Sequence, residues 1–248
     1  MNTKEKQYWF DKSLKAMEML LGIVNVPEED VILFGSEFGT NGWNVKVCRD
    51  HINYFEEFNS FIKKDDNIID HYIKKRWQLT NNLIRFYFTW QPPSIDSSYE
   101  NSIKLESLNL AARIAFPLIE EMARRMSGFW DEDGIMLKDK PADINLFSKS
   151  SSGKVTERNY KKDKNRIIDF LHKLKLLEYS LNDKLKTTIQ SLDNAVCQTL
   201  VIGVTSEMSP LYERLQFHRD MWLHGRKFNG LVSPFLSIFL SLIYFGND

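Results

Sequence analysis

The sequence predicts an all-α fold: a helical bundle with a helical N-terminal extension. Two observations carry this. Apolar residues recur at the 3.6-residue helical period in one segment after another. Between those segments stand Pro-, Gly- and Ser-rich stretches such as Gln91-Pro92-Pro93-Ser94 and Ser150-Ser151-Ser152-Gly153, which stop helices.

Residues 4 to 24 set Trp9, Phe10, Leu14, Met17, Leu20 and Leu21 near helical spacing, and Pro27 ends the run. Residues 31 to 47 read as a loop, the alternative being two short extended pieces around a Gly-rich turn. Within them Leu33-Phe34-Gly35-Ser36 resembles the Gly-Ser start of a minimal nucleotidyltransferase. That chemistry needs a following Asp-x-Asp pair to hold a metal on the triphosphate, and here Asn44 and Lys46 stand nearest. No Gly-Lys-Ser/Thr ending follows, so a P-loop is excluded too.

Helices are predicted over 49 to 64, lined by Phe55, Phe58, Phe61 and Ile62, and over 67 to 90, marked by Ile69, Ile73, Trp77, Leu83, Ile84 and Phe88. His51 and His71 stand singly among charges without a second metal ligand at zinc spacing, and read as solvated. The Pro-Pro stretch is the clearest boundary, dividing the chain into an N-terminal helical region, 1 to 95, and a bundle, 99 to 248.

The strongest helical signal covers 99 to 127. Leu108, Ala111, Ala112, Ala115, Ile119, Met122 and Met126 share a narrow stripe, with Arg113, Glu120 and Arg124 opposite and Glu120 and Arg124 spaced to pair. Pro117 should kink or split this helix. Periodicity then lapses over 128 to 160, which reads as a long loop. From Lys149 to Lys175 nine Lys or Arg stand against three Asp or Glu, the largest local cationic excess. It is either a solvated surface or an arm holding a phosphate backbone, with Lys161 and Lys162 as candidate contacts. Helices are expected over 161 to 178, where His172 reads as structural, and over 184 to 203.

Net charge is zero, so nothing global draws the chain to nucleic acid or membrane. The two cysteines, Cys48 and Cys197, have no metal-type spacing and suit a reducing, cytoplasmic setting. Charged residues near the N-terminus do not fit a signal peptide. The apolar run from Leu231 to Phe245 is too short for a membrane span and carries Ser233, Pro234, Ser237 and Ser241, so it reads as a buried helix with Ser233 as N-cap and no membrane partner. No metal spacing, nucleophile elbow or cofactor motif occurs, and none is expected.

The chemistry gathers in Arg219-Asp220-Met221-Trp222-Leu223-His224, followed by Gly225-Arg226. Ser209 suits an N-cap, Pro210 a first helical position and Gly230 a stop. Leu211, Leu215, Phe217, Met221, Trp222 and Phe228 form one broad apolar arc; His218 projects into it, whereas Arg219, Asp220 and His224 fall outside. Asp220 and His224 are four apart, and Arg219 lies roughly 140° around from His224. Leu223 interrupts the polar arc, as expected of a face that meets another surface. An Arg clamps phosphate geometrically and a His moves protons near neutral pH. Those two suffice to cleave RNA by attack of the 2′-hydroxyl without a metal.

Arg219-Asp220-x-x-x-His224 resembles the R-x4-6-H motif of the HEPN superfamily, in the form with Asn or Asp after the Arg, and Gly225-Arg226 fits the same pattern. The resemblance covers about residues 99 to 248. It implies a small helical bundle and a metal-independent endoribonuclease acting as a homodimer on an RNA substrate. By it, Arg219 and His224 are catalytic, Asp220 supports them, and an acidic residue from a neighbouring helix, here Glu120, approaches the site. Arg226 joins Lys161 and Lys162 as a candidate RNA contact. The same resemblance implies a role as a toxin or in antiviral defence, with an antitoxin or regulatory protein as partner. Some family members instead bind nucleotides or proteins without cleaving, and that is the alternative reading.

Overall fold

A computed structural model of the chain describes residues 2–36, 44–64, 71–90, 97–137, 140, 143–149, 154–163, 165, 167, 169–199, 210–223 and 232–247. Among the described residues the fold is all-α apart from two two-stranded antiparallel sheets. Contacts divide the chain into two compact units, Met1–Leu118 with Lys227–Asp248, and Ile119–Arg226. The sequence predicts a division at 95 to 99; by contacts, residues up to Leu118 group with the first helices, as does the last helix.

In the first unit, α1 (Thr3–Leu20) starts where the Asn2 side chain accepts the Glu5 amide. Strands β1 (Val31–Ser36) and β2 (Asn44–Cys48) then pair, so 31 to 36 and 44 to 47 take the extended alternative rather than a loop. Helices α2 (Arg49–Lys64) and α3 (His71–Thr89) follow, and α9 (Val232–Gly246) closes the unit. Helix α9 starts two residues earlier than expected, with Ser233 and Pro234 inside its first turn.

Almost every α9 side chain is buried, and its serines explain how an apolar helix tolerates polar groups there. The Tyr54 hydroxyl donates to Ser241 Oγ (2.9 Å) and lies 3.0 Å from Ser13 Oγ. Trp77 Nε1 donates to Ser237 Oγ (3.3 Å), which donates on to Asn81. Spacing of four residues puts Ser237 and Ser241 on one face of α9, so a single stripe meets polar partners from two other helices, and Tyr54 carries the chain on to Ser13 of α1. Trp9, Tyr54, Phe58, Trp77 and Phe245 pack ring to ring beside it. Among the described residues, no helix is long and apolar enough to cross a membrane.

His51 corrects the solvated reading. It is fully buried; Nδ1 accepts the Cys48 amide (3.0 Å) and Nε2 lies 2.9 Å from the Ala16 carbonyl. An acceptor Nδ1 fixes Nε2 as the protonated nitrogen. Burial lowers the His51 pKa, so the ring remains a neutral link between α1 and the start of α2.

Helix α4 (Ser97–Ser127) runs on through Pro117 without splitting, and the boundary between the units falls just after it, at Leu118. Its stripe is buried from Leu108 to Met122. The expected Glu120–Arg124 pair gives way to one in which Glu121 takes both Arg124 and Arg125 (2.6 Å to the latter), leaving Glu120 to face the other way.

In the second unit, the stretch read as a long loop contains a hairpin, β3 (Asn145–Lys149) with β4 (Val155–Asn159). Its apolar side joins Phe129, Ile144, Leu146, Tyr160, Ile167 and Leu176 in a small core. Helices α5 (Tyr160–Asp163), α6 (Phe170–Ser180), α7 (Asp183–Thr199) and α8 (Pro210–Leu223) complete the unit. The predicted helix over 161 to 178 is thus broken before Phe170. The Asp193 carboxylate accepts the Leu211 amide (3.1 Å), fixing the start of α8 to α7.

Candidate active site

Helix α8 displays two chemistries one residue apart. Leu211, Leu215 and His218 are fully buried, and the half-buried Arg219 comes next. Burial, helped by the Arg214 charge, lowers His218 to about 3. It is neutral at physiological pH and serves the core. Phe217 departs from the predicted apolar arc and is 41% exposed. Leu223, the apolar residue expected at a surface, is 51% exposed.

Arg219 is held from three sides. Its Nη2 lies 2.8 Å from Glu120 Oε1 of α4, and its Nη1 lies 3.7 Å from Asp220 Oδ1. The guanidinium carbon sits 5.7 Å from the Phe170 ring centroid of α6, a cation–π contact. Gln216 supports this arrangement by donating to Asp220 Oδ1 (2.6 Å) while its Oε1 accepts the Leu171 amide (3.0 Å). One side chain therefore locks α6 to α8 and orients the carboxylate beside Arg219. The other Glu120 oxygen, Oε2, receives Lys173 Nζ at 3.3 Å. The Glu120, Arg219 and Lys173 side chains are 22%, 22% and 16% exposed and Glu120 Oε1 itself is buried, so screening by water is reduced.

A second charged group borders the first. Asp169, at the N-cap of α6, lies 3.2 Å from His172 Nδ1. His172 holds the Asp169 carboxyl below its ordinary range; burial opposes this, and the nearby Arg158 and Arg219 charges add to it. His172 itself is 1% exposed, a buried tie rather than a substrate contact, in line with its structural reading.

The structure thus brings together Arg219, Asp220 and Glu120. His224 and Arg226 lie outside the described residues, as do Ser209 and Gly230. Lys161 and Lys162 sit on α5, next in sequence to the β3–β4 hairpin and apart from the α4, α6 and α8 residues that hold Arg219. Lys173 and Gln216 escaped the sequence reading; Lys173 had shown only as one charge in the basic run, and Gln216 gave no signal. Comparison with family models, with curated proteins and with solved structures finds no match. The geometry therefore has to carry the functional argument. Among the described residues, no group of three His, Cys, Asp or Glu converges as a metal site. What the arrangement offers is a charged guanidinium, fixed in direction and open to water, at the edge of a basic region.

Proposed function

We propose that the chain is a metal-independent endoribonuclease of HEPN type, working in the cytoplasm as a homodimer. The observation that carries the reading is the Arg219–Glu120 pair: the motif arginine is oriented by an acid from a neighbouring helix, at a half-exposed surface. Arg219 would stabilise the charge that gathers on the phosphoryl oxygens as phosphorus becomes pentavalent. His224 would move protons, taking one from the attacking 2′-hydroxyl or giving one to the departing 5′-oxygen. The bond from phosphorus to the 5′-oxygen breaks as the bond to the 2′-oxygen forms, leaving a 2′,3′-cyclic phosphate and a 5′-hydroxyl. Asp220, 3.7 Å from Arg219, would orient that arginine, and His224 with it.

His218 is unsuited to the proton role because it stays neutral in the core, which supports giving the role to His224. Exposed Leu223 falls about 40° from Arg219 on the helical wheel, so the site's own face carries an apolar residue for a second copy to cover. A second copy would set two motif copies across one cleft. A role as a toxin or defence effector, restrained by an antitoxin or regulatory protein, belongs to the same proposal.

The test is RNA cleavage in EDTA by the wild type, Arg219→Ala and His224→Ala, with folding checked by circular dichroism. Cleavage should survive chelation and fall by about 100-fold or more in each variant. Unchanged cleavage by His224→Ala would sink the mechanism, and a folded wild type that cuts no RNA would move the reading to a non-catalytic binding module.

A further inference from the structure

Glu120 is bound by two cations, one on each oxygen: Arg219 of α8 at 2.8 Å on Oε1 and Lys173 of α6 at 3.3 Å on Oε2. We propose that Arg219 and Lys173 form a two-cation clamp for one phosphodiester of the bound RNA, and that Glu120 occupies the phosphate's place when no RNA is bound. The inference rests on the ribonuclease reading above and adds to it a binding residue, Lys173, and a role for Glu120.

Three features lead there. First, a bridging carboxylate presents two oxygens to two donors as the non-bridging oxygens of a phosphodiester do, and both ligand types take charge-assisted hydrogen bonds from Arg and Lys. Second, Arg219 has partners besides Glu120. Arg219 lies over Phe170 and beside Asp220, and Phe170 and Lys173 belong to the same turn of α6. Arg219 would therefore keep its place when the carboxylate swings away, with Lys173 one turn along α6 from the Phe170 ring that carries it. Third, the three side chains are 16–22% exposed and Glu120 Oε1 is enclosed, so a phosphate that takes the carboxylate's place meets charges that water screens only in part. Lys173 also lies at the end of the basic run from Lys149 to Lys175, along which a strand's neighbouring phosphates would find further charge.

The model separates itself from a purely structural ion pair by the sign of one substitution. If Glu120 only ties α4 to α6 and α8, removing its charge weakens everything. If it competes with phosphate, Glu120→Gln tightens binding. The experiment measures fluorescence anisotropy of a labelled single-stranded 2′-O-methyl oligonucleotide, which carries phosphodiesters but no attacking hydroxyl, across a salt series with the full chain. Lys173→Gln should weaken binding about tenfold at low salt and reduce the slope of log K against log salt by about 0.7, the change for one lost contact on a single strand. Lys173→Arg should restore most of the affinity, and Glu120→Gln should bind several-fold more tightly than the wild type. Binding by Lys173→Gln equal to wild type, with Arg219→Ala weakened, overturns the clamp and leaves the ribonuclease reading standing. A Glu120→Gln variant that melts like the wild type yet binds more weakly also overturns it. Wild type that binds no oligonucleotide overturns the ribonuclease reading, and the clamp with it. Should Glu120→Gln fail to fold, the Lys173→Gln and Lys173→Arg pair decides alone.

Discussion

Burial lifts the Glu178 carboxyl of α6 from its ordinary 4.5 to about 7, reinforced by the Asp193 charge of α7 and only partly relieved by Lys175 and Lys186. The difference fixes a dependence of stability on pH opposite in sign to that of a salt-bridged acid. Below pH 4.5 the group is protonated in both folded and unfolded chains and costs nothing. Between 4.5 and 7 the unfolded chain ionises while the folded one keeps its proton, so stability falls as pH rises. Above 7 the loss is complete. At about 1.4 kcal/mol per pH unit it amounts to about 3 kcal/mol, or about 2 kcal/mol once water at the half-buried side chain is allowed for. Glu178→Gln keeps the shape and removes the charge. Urea unfolding followed by circular dichroism should give wild type and variant nearly equal stability at pH 4.5, with the variant about 2 kcal/mol more stable at pH 8. A variant no more stable than wild type at pH 8 would refute the argument, since the carboxylate would then be well solvated or paired in the folded chain.

Two further outcomes follow from the same packing and site. Tyr54→Phe leaves Ser13 and Ser241 without their buried hydroxyl partner and should cost about 1–2 kcal/mol in thermal or urea unfolding; an unchanged midpoint would mean that the serines re-pair without it. Co-expression of Arg219→Ala with His224→Ala should recover about a quarter of wild-type cleavage if each cleft takes its arginine and histidine from different copies, because half of random dimers are mixed and one of their two clefts is intact; no recovery would rule out a shared cleft.

Helical period told which residues face inward, and for that reason most helices, the α4 stripe, the core position of His218 and the burial of the last helix could be read from the chain. It does not say what a face meets. The β3–β4 hairpin pairs Asn145 with Asn159 across a stretch of weak pattern, so its partner is non-local and invisible to a short window. His51 looked like one polar residue among charges because its neighbours in sequence are charged; its partners are the Ala16 carbonyl, 35 residues away, and the Cys48 amide that precedes its helix. Glu120 and Glu121 are equivalent as acids in the sequence, and only the 100° between them sends one to Arg219 and the other to Arg124 and Arg125. Lys173 is one lysine in a basic run until α6 is laid against α4 and α8.

The same 100° decides the chemistry available on α8. His218 and Arg219 are neighbours in sequence, yet one ring is fully buried and held near a pKa of 3 while the next side chain reaches the surface. A histidine with that pKa is almost never protonated at pH 7, so it cannot donate a proton, and its burial keeps substrate away. Arginine keeps its charge in any setting, so a half-buried one must be compensated; here Glu120 and Asp220 compensate it. On the ribonuclease proposal, a proton carrier for this arginine would therefore come from elsewhere on the polar arc. His224 is the sequence's remaining candidate there, and helical spacing would set it five residues and 140° away. Such an offset would turn the two side chains apart on one helix, and under the ribonuclease proposal it favours a cleft completed by a second copy, in which the arginine of one helix and the histidine of the other would approach one phosphate from opposite sides.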